Sequence, residues 1–182
     1  MNAALRRSWI ATGLVAVVLG LGTWLLVRVV SPREGVDLGE RVPDYHVKRA
    51  VTGDTIGLRT AYAGQVTLIN IWATWCAPCL REMPSLEQLY QEYKSRGFRV
   101  AAVSIDDTDT APVLAFARRL GVSFDILHDR SGAIQSAYRV VGMPTSVLVD
   151  RHGRVAYVTL GAKDWNAADN AARVARLLPG GQ

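Results

Sequence analysis

The only two cysteines of the chain, Cys76 and Cys79, form one C-x-x-C motif within Trp72-Ala73-Thr74-Trp75-Cys76-Ala77-Pro78-Cys79. An apolar strand pattern (Val66, Leu68, Ile69, Ile71) precedes the motif and a helical pattern follows it. That junction suits a redox-active dithiol. A thiol in the first turn of a helix meets unpaired backbone N–H groups and the positive end of the helix dipole. Both stabilise its thiolate, which is the nucleophile. Thiol-disulfide exchange then needs one accessible thiol and one buried partner: Cys76 attacks a target disulfide, and Cys79 resolves the mixed disulfide. A zinc site would need two more ligands, yet there is no further cysteine, and His46, His128 and His152 lack ligand spacing. A structural disulfide across two intervening residues closes too short a loop to stabilise much.

Two further groups could serve such a pair. Glu82 follows Cys79 by three residues, which puts both on one side of a helix. Buried there, its carboxyl should titrate high and accept the proton of Cys79 as that residue becomes the resolving thiolate. A solvated glutamate paired with an arginine is the alternative. Gly142-Met143-Pro144-Thr145 precedes a strand, and a proline opening a strand is a candidate cis bond, a plain trans turn being the other possibility. If that loop lies opposite Cys76, the Met143 backbone can pair with an extended substrate.

These residues need a scaffold, and the pattern supplies one. Strands are expected over Tyr45 to Ala50 and Thr55 to Leu58, joined through Thr52-Gly53-Asp54, and over Val66 to Trp72. A helix from Cys76 to about Arg96 carries Cys79, Met83, Leu86, Tyr90 and Tyr93 on one face, with Pro84 expected to kink it. Strand Phe98 to Ile105, helix Ala111 to Leu120, strand Phe124 to Leu127 and a short helix around Ala133 to Tyr138 follow. The chain closes with strand Thr145 to Asp150, a turn at Arg151-His152-Gly153-Arg154, strand Val155 to Leu160 and a helix from about Asn166 to Leu178. Strands alternating with helices before a terminal hairpin imply an α/β mixed central sheet with helices on both faces.

The 182-residue chain has room for one such domain plus an appendage. The appendage is the stretch Ser8 to Val27, which carries no charge, with Arg6 and Arg7 before it and Arg28 after. About twenty helical residues just span the hydrocarbon of a bilayer. Trp9 and Trp24 lie near its two ends, and the leading arginines favour a cytoplasmic N-terminus. We read residues 1–30 as a membrane anchor with its signal-anchor helix at about 8–30, residues 31–41 as a linker and 42–182 as the folded domain. A cleaved signal peptide is the rival, with Gly20-Leu21-Gly22 as its small-x-small site, but the apolar run continues to Val27. No cysteine follows the block, so a lipid-modified N-terminus is not expected. The net charge of +5 comes from scattered arginines without a dense basic run, which argues against a nucleic-acid partner.

The cysteine motif, with Glu82-Met83-Pro84, Gly142-Met143-Pro144-Thr145 and Val149-Asp150-Arg151-His152-Gly153, resembles the membrane-anchored extracytoplasmic thioredoxin-like proteins of the TlpA/ResA type. The likeness runs from about Val42 to the C-terminus. It implies a thioredoxin-like fold with an N-terminal β-hairpin, a central insertion best matched by Ala111 to Leu127, and Pro144 in cis facing Cys76. It implies catalytic roles for Cys76, Cys79 and Glu82, substrate contacts at Trp75, Met143 and Pro144, and neither cofactor nor metal. Asn70 takes the place of thioredoxin's buried aspartate and cannot exchange a proton near neutral pH, so that role passes to Glu82 or water.

The function implied is that of a protein-disulfide reductase on the periplasmic side of the bacterial inner membrane. Its targets would be apocytochrome c or copper-site proteins of respiratory oxidase, and a membrane thiol-electron carrier would re-reduce it. Two alternatives stay open: an extracytoplasmic disulfide oxidant or isomerase, and a Cu(I) metallochaperone using both cysteines as soft ligands. Ala77-Pro78 between the cysteines offers no histidine to stabilise the Cys76 thiolate further, which favours the reductant. The peroxidases of the related class would want threonine and proline where Ala73 and Ile69 stand.

Overall fold

The computed structural model describes residue 13, residues 15–24 and residues 36–180. The chain divides into two units, Met1–Arg33 and Glu34–Gln182. In the first, residues 15–24 form a helix, α1, with exposed side chains. Among the described residues no helix is long and apolar enough to cross a membrane. The anchor expected at about 8–30 extends outside the described residues on both sides.

The second unit is built on one seven-stranded sheet of order β2-β1-β5-β4-β3-β6-β7. Its elements are β1 (His46–Arg49), β2 (Thr55–Gly57), α2 (Leu58–Ala61), β3 (Val66–Trp72), α3 (Ala77–Tyr93), β4 (Phe98–Ser104) and α4 (Thr110–Arg119). They continue with β5 (Asp125–His128), α5 (Ile134–Ala137), β6 (Thr145–Val149), β7 (Val155–Leu160) and α6 (Ala168–Leu177). Strands β3, β4 and β5 run parallel, while β1, β2, β6 and β7 join antiparallel on either side. All seven residues of β3 and all five of β6 are buried. Since neighbouring side chains on a strand point to opposite faces, the centre of the sheet is covered on both. The edge strand β7 instead mixes buried and exposed positions.

The segment expected as an insertion is the α4–β5 unit, whose strand enters the sheet between β4 and the β1–β2 hairpin. The expectation at Leu58 needs correction. The strand stops at Gly57 and a one-turn helix, α2, begins. Asp44 Oδ1 accepts the Arg59 N–H at 2.9 Å and the Thr60 N–H at 3.2 Å, satisfying donors that open a helix. Those bonds hold its carboxyl below the usual range despite its partial burial. A Cβ at Gly57 would lie 2.5 Å from that oxygen, so the glycine leaves room for the cap. Residues 39–41, placed in the linker by sequence, lie along β7: Gly39 N–H donates to Val155 O at 2.7 Å, and Val155 N–H to Glu40 O at 2.9 Å.

Candidate active site

Strand β3 delivers the chain to the cysteines, and Trp72 and Trp75 flank the turn that follows. Trp72 is fully buried, 6.5 Å from the Phe116 ring, whereas Trp75 is 67% exposed. Between them Thr74 is held by Asp106, which follows β4. The Asp106 carboxylate accepts the Thr74 N–H at 3.0 and 3.2 Å, the Thr74 hydroxyl at 2.6 Å and the Ser104 hydroxyl at 2.7 Å. Asp106 and Ser104 are both buried, while Thr74 is half-buried. Asp106→Ala is expected to lower unfolding stability by about 2–3 kcal/mol, read as an earlier urea midpoint, because Thr74 N–H and Ser104 Oγ–H lose their acceptor.

Cys76 occupies the N-cap of α3, and its sulfur accepts the Cys79 N–H at 3.3 Å. Pro78 falls in the first turn, where a missing N–H leaves no helical bond unmade. Cys76 and Cys79 are joined as a disulfide with Cα atoms 5.3 Å apart. Cys76 keeps only 6% exposure and Cys79 none, so the expected difference in access is a narrow window over Cys76. The helix runs unbroken through Pro84, burying Cys79, Glu82, Met83, Leu86 and Leu89. The sequence stripe missed Leu89 and placed Tyr90 and Tyr93 deeper than they lie: both are half-buried.

Glu82 is 1% exposed and pairs with no arginine among the described residues. Its Oε1 accepts the Asn70 amide N–H at 2.7 Å, and its Oε2 accepts the Lys163 backbone N–H at 3.1 Å. Burial pushes its carboxyl above the ordinary glutamate range. The donors from Lys163 and Asn70, the nearby Trp165 indole and the Lys163 charge offset part of that rise. Asn70 also donates to Ser146 Oγ at 2.9 Å, its cross-strand neighbour on β6, and its own Oδ1 is buried without a partner among the described residues.

A carboxyl that titrates higher in the native state than in the unfolded chain keeps a proton the unfolded chain has released. Glu82 therefore subtracts stability as pH rises from the ordinary glutamate range through its raised value. Melting temperatures of the native chain and Glu82→Gln, recorded from about pH 4 to about pH 8, should diverge against the native chain with rising pH.

The Met143–Pro144 bond is cis. Pairing of Ile71 with Thr145 sets Pro144 at the sheet end where β3 turns toward Cys76. Pro144 is buried, Met143 half-buried, and Pro144 O accepts the Gly161 N–H at 2.8 Å. The sequence reading did not find Asp106, Ser146 or the Lys163–Trp165 segment. Asp106 alone left a signal, as an acidic residue just past a parallel strand's C-terminal end. A cavity of about 460 Å3 beside His128, Asp129 and Arg130 includes none of the residues around the disulfide.

The sequence matches the Redoxin family over residues 37–175. This chain belongs to that family. The redoxin is 35% identical to the thiol-disulfide oxidoreductase ResA of Bacillus cereus over 125 residues, 69% of this chain and 70% of the relative. It is 34% identical to the thioredoxin-like protein YneN of Bacillus subtilis over 158 residues, 85% of this chain and 91% of the relative. A solved Chlorobium tepidum structure described as thiol:disulfide interchange protein DsbE superposes with a TM-score of 0.68 at 32% identity. The match covers 76% of this redoxin and 99% of that chain. With Cys76 and Cys79 disulfide-bonded, the redoxin is a protein-disulfide redox enzyme of the TlpA/ResA type.

Proposed function

We propose that this redoxin is a dedicated reductant of disulfides in extracytoplasmic proteins, held at the bacterial inner membrane by its N-terminal segment with the folded domain on the periplasmic side. The observation that carries the reading is the unequal placement of the two sulfurs, Cys76 at the N-cap of α3 and Cys79 fully buried one turn on. In the reduced enzyme the Cys76 thiolate gains from the helix N-terminus and from the Cys79 N–H. It attacks a substrate disulfide, forming a Cys76–substrate bond and releasing one substrate thiolate. Cys79 gives its proton to Glu82 and attacks the Cys76 sulfur, closing the Cys76–Cys79 disulfide and releasing the second substrate thiolate. Two electrons pass to the substrate, and a membrane thiol-electron carrier restores the dithiol.

Trp75, Met143 and Pro144 are the substrate-contact residues, a reading supported by the exposure of Trp75, the partial exposure of Met143 and the shared sheet end of the two loops, with the buried Pro144 shaping the second loop from beneath. The targets we favour are the haem-binding cysteine pair of apocytochrome c and copper-site proteins of respiratory oxidase. The uncharged stretch Ser8 to Val27 between arginines supports the anchor. Incubating the reduced chain with an apocytochrome peptide carrying a C-x-x-C-H disulfide tests the reading. Stoichiometric appearance of peptide thiols supports it; a tight Cu(I) complex without peptide reduction would replace the reductant with a copper carrier.

A further inference from the structure

While a substrate is bonded to Cys76, the face over the dithiol is covered, yet the proton of Cys79 must still leave before Cys79 can attack. Cys79 has no exposure and Glu82 only 1%, so neither hands a proton directly to bulk water. A cavity of about 270 Å3, lined by Arg81, Glu82, Ser85, Ala162, Lys163 and Asp164, lies against Glu82. The carboxylate stands between two environments. Oε1 is held by Asn70 from inside the sheet, while Oε2 is held by Lys163, part of the cavity wall. That volume holds several waters at about 30 Å3 each, and its polar lining supplies the partners such waters need.

We propose that this cavity is the route by which the proton taken from Cys79 reaches solvent, with Glu82 at its inner end and Arg81, Lys163 and Asp164 around it. The inference rests on Glu82 being the base for Cys79. The step is balanced: the Cys79 S–H proton passes to a Glu82 oxygen and from there to cavity water, while the sulfur's electron pair forms the new bond to Cys76. The charged and titratable groups around Glu82 are Cys79 and Arg81 from its own helix, and Lys163 and Asp164 from the segment after β7. The β3 contributor, Asn70, is neutral. The lining of the route includes none of Trp75, Met143 and Pro144, the residues proposed to contact substrate.

The test is chemical rescue in the full chain, following closure of a preformed mixed disulfide by rapid mixing. Glu82→Ala should slow closure at least about tenfold. Formate, small enough to enter from the cavity and replace the lost carboxylate, should restore the rate with a saturable dependence on its concentration. In Glu82→Ala with Ala162→Trp, which narrows the cavity, formate should restore little. Slow closure without formate rescue overturns the route and leaves Glu82 as the base; unchanged closure in Glu82→Ala overturns the base and the route with it. If Glu82→Ala does not fold, Ala162→Trp alone decides: slower closure with an unchanged first attack supports the route, and an unchanged rate of closure overturns it.

Discussion

Cys76→Ser is expected to abolish reduction of protein disulfides, a loss of at least about a thousandfold, because a serine hydroxyl supplies no nucleophile of comparable strength at neutral pH. Cys79→Ser should behave differently. It keeps the attacking thiol, so the first exchange proceeds, but no second sulfur closes the cycle and the substrate stays bonded to Cys76. A non-reducing gel or intact-mass measurement should then show a one-to-one adduct that a reductant removes. The asymmetry follows from burial: Cys79 is wholly enclosed, whereas Cys76 retains a window at the N-cap of α3. Adducts trapped by Cys76→Ser, with continued turnover in Cys79→Ser, would reverse the roles of the two sulfurs.

Glu82→Gln should slow resolution of the mixed disulfide by about a hundredfold while leaving the first attack nearly unchanged. Glutamine still offers a carbonyl oxygen to the Asn70 amide, so the bond to β3 can persist, but it cannot take a proton. With no carboxylate to repel it, the Cys79 thiolate should form at lower pH in the variant, while closure stays slow because the base is gone. A purely structural role would leave the thiol titration unmoved, and both half-reactions would weaken together with the melting temperature. Only the first pattern assigns proton transfer to Glu82.

What was legible in the sequence was the part written in periodicity and local spacing. The apolar strand pattern of β3, the cysteines at the strand–helix junction, Glu82 one turn beyond and Pro144 before β6 all follow from short-range pattern. The contacts that finish the site are long-range. Asp106 reaches back 32 residues to Thr74, and the Lys163 N–H reaches Glu82 across 81. No local spacing marks either. Tyr93 continues the helical stripe and packs against the core, but it is the last residue of α3, where the chain passes into a 3-10 turn at Lys94–Arg96, and it stays only half-buried. The turn α2 was missed because its capping residue, Asp44, lies 15 residues before Arg59 and not beside the helix it caps.

The direction of electron flow is the claim on which the proposed function turns, and motif presence does not set it, since related dithiols differ widely in potential with their relative thiolate stabilisation. The deciding measurement is the equilibrium reduction potential of the Cys76–Cys79 couple, taken against glutathione and dithiothreitol buffers at neutral pH. A reductant fed across the membrane requires a potential near that of thioredoxin, about −270 mV, or lower. A potential above about −180 mV, in the range of protein disulfide isomerase and DsbA, would make the enzyme an oxidant or isomerase and contradict the assignment to apocytochrome reduction.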